Sequence, residues 1–469
     1  MTGHDRSFRR VAIIGAGTMG AGIAALLVNA GVQVDLLDIV PDAPTQEEVE
    51  TGLGLSDQQV RDRIAREGWA RARASRQAKD LSPEAAERVS IGNLEDDLGR
   101  LSQADWVIEA VVEDLSVKRQ IMARIEAARR PDAVISTNTS GLLLREIVAG
   151  RSAEYSRRFL GTHFFNPPTT MELVELIPGP RTDRAIVRSM MKFLEGPLAK
   201  RVVVCKDTPN FIANRLASVQ SSFDMAYVLK HGYTVEEADA ILGPLVGRPS
   251  TAVFRLRDLV GLDVSTRVAE NLHQAIPHDP FRQILVEPRL SALRNGMLER
   301  GLLGRKSGGG FYRAEQSDQE RTFLPIDLDS LKHVRPRTID LPRLSQAREM
   351  DHLADRLRFL VSENDRVGDL VWASLSNVMA YAAYCVPEIA DGPGPIDQAM
   401  RWGYSWQMGP FEMWDAIGLA SGRRRMDHDG LVVAEWVDDM LSAGYESFHK
   451  MVDGTLHAYS PTAKAYLPV

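Results

Sequence analysis

The residue types best suited to chemistry in this 469-residue chain fall in two places. The first is Gly15-Ala16-Gly17-Thr18-Met19-Gly20, which follows the apolar run Val11–Ile14 and opens an Ala-rich stretch ending at Ala30-Gly31. Strand, glycine turn and helix in that order make a phosphate cradle. Gly15 permits the tight turn, Gly17 lets the backbone approach a pyrophosphate, and Gly20 allows the helix to pack closely on the sheet. The helix N-terminus, with Thr18 and Met19 in its first turn, supplies unpaired N–H groups to phosphate. Asp38 closes the next strand-like run about 20 residues on, where a carboxylate accepts from a ribose 2′-hydroxyl and repels a 2′-phosphate. The pattern predicts NAD in preference to NADP. An ordinary turn at the glycines and a surface role for Asp38 are the plain alternatives. Flavin is disfavoured because no second flavin-type signature is present.

The second place is His163, at the end of the run Phe159–Phe165 and just before Asn166-Pro167-Pro168. A side chain at such a strand end projects into the crevice where open α/β sheets place ligands. If its segment is extended, Glu175 shares a face with Met171, Leu173 and Ile177, and a carboxylate on an apolar face needs a charged or donor partner. A neighbouring histidine satisfies it. Such a pair holds one imidazole tautomer and stabilises the imidazolium formed when the ring takes up a proton. From these residues alone, a core histidine with a structural glutamate remains the competing reading.

Both places need a parallel sheet to position them. Strand-like runs at Val11–Ile14, Val32–Leu37, Trp106–Val112, Val134–Ser136, Phe159–Phe165, Leu173–Ile177 and Val202–Cys205 predict an N-terminal α/β domain of Rossmann type over 1–205. Between Glu47 and Ala86 runs a charged helical stretch that includes Arg61, Arg63, Arg66, Arg71, Arg73 and Arg76. It reads equally as a solvated face or as a phosphate-binding one. At Asp207-Thr208-Pro209 the pattern turns to long helices, with Thr208 as expected cap and Pro209 as first helical residue.

Helices are expected over 206–314, a Pro- and Asp-punctuated connector over 315–343, and a second helical unit over 344–469. One internal echo is visible. Asp239 precedes Asp258-Leu259-Val260-Gly261-Leu262 much as Asp397 precedes Asp415-Ala416-Ile417-Gly418-Leu419. Two related helical units in tandem would explain it, and so would chance.

Composition sets outer bounds. The chain is 44 % hydrophobic and 25 % charged, which fits a packed globular fold and not a disordered one. A net charge of -7 argues against general affinity for nucleic acid. Cys205 and Cys385 are the only cysteines, too far apart for a metal knuckle or disulfide framework, which fits a reducing, cytoplasmic setting. No apolar run approaches the roughly 20 residues needed to span a bilayer. No metal is expected, since His231, His273 and His278 lack ligand spacing and are expected at the surface.

The chain resembles the 3-hydroxyacyl-CoA dehydrogenase family. The resemblance runs through Gly15 to Gly20, Glu109-Ala110-Val111-Val112-Glu113 with Lys118, Asn138-Thr139-Ser140, His163-Phe164-Phe165-Asn166-Pro167 and Leu173-Val174-Glu175. It continues through Lys206-Asp207-Thr208-Pro209, Phe211-Ile212-Ala213-Asn214-Arg215 and Ser307 to Tyr312. Later still, Ile396-Asp397-Gln398-Ala399-Met400 and Gly409-Pro410-Phe411-Glu412-Met413-Trp414-Asp415 look like bacterial long-chain β-oxidation enzymes. In those a hydratase region accompanies the dehydrogenase region. This chain starts at the dinucleotide motif and leaves no room for one, so hydratase activity is not expected; truncation of a longer enzyme is the alternative.

The resemblance implies a Rossmann-type domain followed by two all-α units of the family's C-terminal type. It implies NAD-dependent oxidation of a 3-hydroxyacyl-CoA in fatty-acid β-oxidation, with His163 as general base and Glu175 as its orienting partner. Ser140 and Asn214 would hydrogen-bond the substrate oxygen, and Glu113, Lys118 and Asn138 would contact the ribose and nicotinamide end of NAD. Glu113 and Lys118 also read as an exposed helix-start pair. Asn214, early in its helix, makes the expected site a two-domain one that closes on substrate. Arg63, Arg66 and Arg73 are candidates for the phosphates of coenzyme A. Expected partners are the acyl-CoA thioester, a second copy, or other β-oxidation enzymes.

Two rivals come from other classes. A hydrolase built on Ser140 and His163 is disfavoured because Ser140 lies in Thr137-Asn138-Thr139-Ser140-Gly141 and not in a G-x-S-x-G elbow. A binding module with little chemistry is disfavoured by the presence of His163, Glu175, Ser140 and Asn214 together.

Overall fold

A computed structural model describes residues 8–75, 81–316 and 321–469, so Arg76 lies outside the described residues. The chain divides into two compact units, one ending at Phe211 and the other running Ile212–Val469.

The first unit is built on one eight-stranded sheet ordered β3-β2-β1-β4-β5-β6-β7-β8. The strands are β1 (Arg10–Ile14), β2 (Gln33–Asp38), β3 (Val89–Asn93), β4 (Trp106–Glu109), β5 (Val134–Thr137), β6 (Phe159–Phe164), β7 (Leu173–Pro178) and β8 (Arg201–Val204). β1 to β6 are mutually parallel, whereas β7 runs antiparallel to β6 and parallel to β8. The order reverses between β1 and β4, the switch point at which such sheets open a crevice at their carboxyl ends. Nearly continuous apolar runs suit strands buried on both faces. β3 was not among the expected strands: Val89 and Ile91, separated by Ser90, are too few apolar positions to stand out, and pairing along β2 makes the strand.

The helix α1 (Thr18–Asn29) buries Ile23, Ala24, Leu27 and Val28 against the sheet and stops at Gly31, whose φ of +82° ends it as expected. Phe8, Trp106 and Phe193 form an aromatic cluster in the core, with Phe8 and Phe193 ring centroids 5.0 Å apart. The Trp106 indole N–H donates to Ser136 at 2.9 Å and the Thr162 hydroxyl donates to the same oxygen at 2.8 Å, so the polar atoms inside the sheet are satisfied. The charged stretch after Glu47 is several short helices and not one. Its longest, Arg63–Ala74, packs so close to the glycine turn that a Cβ on Gly68 would lie 2.0 Å from the Ala16 carbonyl oxygen.

The second unit opens with the helix Ala213–His231, four residues later than Pro209 suggested. Thr208 does not cap it. Asn210 and Phe211 take φ of +60° and +51°, and the helix starts only after this left-handed pair. A second long helix, Arg366–Cys385, packs along it. Arg215, fully buried, donates to the Tyr381 hydroxyl at 2.6 Å and to Asp279 at 2.8 Å, which ties the two helices together.

The echo seen in the sequence is a structural repeat. Asp239 accepts from the Val253 and Phe254 amides, and Asp397 from those of Phe411 and Glu412. Asp258 accepts from Phe311 and Tyr312, and Asp415 from Phe448 and His449. The Tyr312 hydroxyl then reaches Asp239 at 3.0 Å, while the His449 imidazole bridges Asp415 at 3.0 Å and Asp397 at 3.2 Å.

Neither repeat is purely helical. β9 (Tyr312–Gln316), β10 (Arg321–Asp327) and β11 (Lys332–His333) form one small antiparallel sheet, partly inside the expected connector. β12 (His449–Val452), β13 (Thr455–Ser460) and β14 (Ala465–Pro468) form another. Their short alternating runs are half-exposed and carry little apolar signal. No described helix is long and apolar enough to cross a membrane.

Candidate active site

The glycine turn follows β1 at the switch point. Gly15 has φ of +103°, and a Cβ there would stand 2.5 Å from the Ala110 carbonyl oxygen after β4. A Cβ on Gly20 would fall 1.8 Å from the Gly15 carbonyl oxygen, whereas one on Gly17 would meet nothing within 4 Å. Two glycines are therefore required by the protein's own backbone, and the third faces open space where a pyrophosphate fits. Asp38 accepts from the Ala16 amide at 2.6 Å and the Ile39 amide at 2.7 Å. It braces the turn from the end of β2 and keeps lone pairs for a ribose. These features fit a dinucleotide.

Farther along the same sheet edge lies a chain of charged groups, with Lys118 and Glu109 buried and Glu113 exposed. Lys118 is buried and donates to Glu109 at 2.7 Å, with Glu113 at 3.3 Å. Glu109 also accepts from the Thr137 hydroxyl at 2.6 Å. Glu113 accepts from the Thr139 hydroxyl at 2.5 Å and from the Ser140 and Gly141 amides at 2.9 and 3.1 Å. Partial desolvation of the Glu113 carboxylate opposes its ionisation, but Lys118 and these hydrogen bonds outweigh it and hold its pKa below the usual carboxylate range. Lys118 is thus a buried brace and not half of an exposed helix-start pair. The same residues fix the loop that presents Ser140, whose side chain is exposed.

His163 and Glu175 are in register across the antiparallel β6–β7 pair, with Nδ1 and Oε2 2.7 Å apart and both residues buried. A carboxylate partner there places the proton of the neutral ring on Nδ1, leaving the Nε2 lone pair as the basic site. Phe165 and Phe211 flank the ring, with centroids 4.5 and 5.7 Å away. Asn138, at the end of β5, accepts from the Phe164 amide at 3.0 Å, so it secures the residue next to His163. The first unit therefore gathers Gly15, Gly17, Gly20, Asp38, Glu113, Lys118, Asn138, Ser140, His163 and Glu175 at the carboxyl edge of one sheet. Asn214 lies in the first turn of the helix that opens the second unit.

The arginines of the charged stretch differ among themselves. Arg63 pairs with Glu48 and donates to the Ala43 carbonyl at 2.9 Å; Arg66 donates to the Gln59 carbonyl at 2.8 Å; Arg73 is exposed. Arg61 is held by Asp96 at 2.6 Å. Of the three histidines expected at the surface, His231 and His278 are exposed and His273 is half-buried, with its Nε2 enclosed.

Two residues that hold candidate site elements in place carried no sequence signal. Lys200 donates to the Pro168 and Met171 carbonyls at 2.6 and 2.7 Å, pinning the loop that follows His163, and burial lowers its pKa to about 8. Tyr404 donates to the Asn214 side chain at 2.9 Å. Each acts across a long sequence separation with no motif around it.

Comparison with known proteins agrees with this geometry. Residues 10–208 match the family model described as 3-hydroxyacyl-CoA dehydrogenase, NAD binding domain. Residues 211–314 and 373–459 each fall under the C-terminal domain of the same family, which bears out the tandem repeat. A Bacillus subtilis relative named probable 3-hydroxyacyl-CoA dehydrogenase is 40 % identical over 97 % of this chain and 56 % of its own length. A Deinococcus radiodurans relative of the same name is 39 % identical over 67 % of this chain and 85 % of its own. The chain thus spans only about half the length of the first of these. The solved 3-hydroxybutyryl-CoA dehydrogenase of Escherichia coli K12 shares the fold, with a TM-score of 0.65 at 24 % identity over 94 % of this chain and 100 % of that one. With both family domains matched and an NAD-type cradle in place, this chain belongs to the 3-hydroxyacyl-CoA dehydrogenase family.

Proposed function

We propose that this protein oxidises the 3-hydroxyl of an (S)-3-hydroxyacyl-CoA thioester to the 3-oxo product with NAD, as a step of fatty-acid β-oxidation. The observation that carries the reading is the buried His163–Glu175 pair, 2.7 Å apart on the sheet that also bears the dinucleotide cradle. NAD, when bound, supplies the hydride acceptor. His163 takes the hydroxyl proton at Nε2, and Glu175 stabilises the imidazolium that results. In the reverse reduction His163 returns that proton. The Ser140 hydroxyl holds the substrate oxygen beside His163, and the Asn214 carboxamide is a second group for that oxygen. Asp38 takes the adenosine ribose, Thr18 and Met19 offer their amides to the pyrophosphate, and Glu113, Lys118 and Asn138 shape the nicotinamide end. Arg66 and Arg73, with Arg63 behind them, lie on the helix against the glycine turn and meet the phosphates of coenzyme A. The two tandem repeats, 206–314 and 344–469 with the segment 315–343 between them, supply the acyl-chain side and the docking surface for a second copy or for other β-oxidation enzymes.

The test is NADH formation with a chain-length series of 3-hydroxyacyl-CoA substrates, for the intact protein and His163→Ala. Activity that falls by roughly 10²-fold or more in the variant supports the reading. An inactive intact protein that still binds NAD would overturn it in favour of a binding module.

A further inference from the structure

The second helical repeat does more than echo the first. Tyr404 ends the helix Pro393–Tyr404 in that repeat, and its hydroxyl lies 2.9 Å from the Oδ1 of Asn214, in the first turn of the helix that opens the first repeat. The two helices pack directly on each other, and both residues are half-buried. Arg215, the next residue after Asn214, is itself clamped by the second repeat through Tyr381 and Glu388. Two successive side chains at this helix start are therefore held by groups more than 160 positions further along the chain, Arg215 to Tyr381 being 166 apart and Asn214 to Tyr404 190 apart.

A terminal carboxamide has two faces of nearly equal shape and opposite hydrogen-bonding sense, and its χ2 torsion is broad. Left alone, it presents oxygen or NH₂ with little preference. A phenol O–H directed at one side removes that freedom: the hydroxyl is the better donor, so the amide oxygen turns toward it and the NH₂ becomes the group offered elsewhere. An oxygen gaining negative charge as it loses its proton needs a donor, and an acceptor there would repel it.

We propose that Tyr404 is a positioning residue for the dehydrogenase reaction, locking the Asn214 carboxamide so that it meets the substrate oxygen with its N–H. This rests on the reading of Asn214 given under the proposed function. It also assigns the second repeat a part in the chemistry: that repeat supplies the group that sets the polarity of a substrate-contacting side chain.

The experiment is a double-mutant cycle of Tyr404→Phe and Asn214→Ala, reading kcat and KM with a 3-hydroxyacyl-CoA, thermal midpoints, and calorimetric affinity for the 3-oxoacyl-CoA product. Tyr404→Phe keeps the ring and removes only the hydroxyl. It should lower kcat about tenfold, a factor equal to about 1.4 kcal/mol, with KM and thermal midpoint little changed. It should have no further effect when Asn214 is already alanine. A kcat unchanged by Tyr404→Phe, or losses that multiply independently with those of Asn214→Ala, would overturn the proposal while leaving Asn214 in the site. If Asn214→Ala itself leaves kcat and product affinity unchanged, the reading of Asn214 fails first and the Tyr404 proposal with it. Should the phenylalanine variant prove unstable, Asn214→Asp gives the second arm. A carboxylate accepts from Tyr404 equally well but offers no N–H, so kcat should fall as far as in Asn214→Ala, and retention of kcat would count against the polarity assigned here.

Discussion

Glu175 stands opposite His163 across the β6–β7 pair, and its Oε2 lies 2.7 Å from the imidazole Nδ1. Antiparallel register fixes this relationship: partners that face each other project to the same side of the sheet, so a carboxylate and an imidazole 12 positions apart meet with no help from loops. Because both groups are buried, replacing either leaves the other without its partner.

Glu175→Gln tests what the charge does. The amide has nearly the same shape and can still accept a hydrogen bond, but it no longer stabilises an imidazolium. We expect kcat to fall by roughly 10²-fold, within the range a positioned general base contributes, with KM changing little. The acidic limb of the pH–rate profile for oxidation, where the protonated general base no longer accepts the hydroxyl proton, should move toward lower pH. A profile identical to that of the unsubstituted protein would remove Glu175 from the mechanism.

Gly17→Ala and Gly20→Ala should separate binding from folding. A Cβ on Gly17 meets nothing within 4 Å, so that variant should fold with an ordinary thermal midpoint and lose NAD affinity. A Cβ on Gly20 would lie 1.8 Å from a backbone oxygen, so that variant should be strongly destabilised before any ligand is added. Calorimetry with NAD and thermal melts distinguish the two; equal NAD affinity for Gly17→Ala and the parent would count against a pyrophosphate at this turn.

Lys118→Met should cost about 3–5 kcal/mol in urea unfolding, because it strands buried Glu109 without its cation. Adding Glu109→Gln should recover part of the loss, since the uncompensated charge is then gone. If the double variant is no more stable than Lys118→Met alone, the pair is not coupled as the geometry requires.

His449 gives a pH dependence. Burial lowers its pKa, but the hydrogen bond to Asp415 and the nearby Asp397 carboxylate outweigh this and raise it above the ordinary value. A folded-state pKa above the unfolded value of about 6.5 contributes stability that is complete below that pH and is lost as pH rises through the folded-state value. Thermal midpoints of the protein should therefore decline above about pH 6.5, and His449→Gln should flatten that decline. An unchanged slope in the variant would show that some other group is responsible.

Much of this protein was legible in its residues alone. Val11–Ile14 followed by Gly15, Gly17 and Gly20, with Asp38 closing the next strand, determined the dinucleotide cradle, because phosphate binding at a strand–helix turn depends on local backbone shape and short spacing. Most strands of the sheet and the tandem repeat marked by Asp239 with Asp258 and Asp397 with Asp415 were readable for the same reason: apolar periodicity and capping carboxylates act within one or two elements. Tertiary structure alone decided the rest. It buried Lys118 against Glu109 while leaving Glu113 exposed, moved the helix start past Pro209 to Ala213, completed the sheet with β3, and folded the ends of both repeats into small sheets. It also brought Lys200 to the loop after His163 and Tyr404 to Asn214. Those outcomes depend on desolvation and on hydrogen bonds between residues tens to nearly two hundred positions apart, as in the 190 between Asn214 and Tyr404, and no local spacing records such pairs.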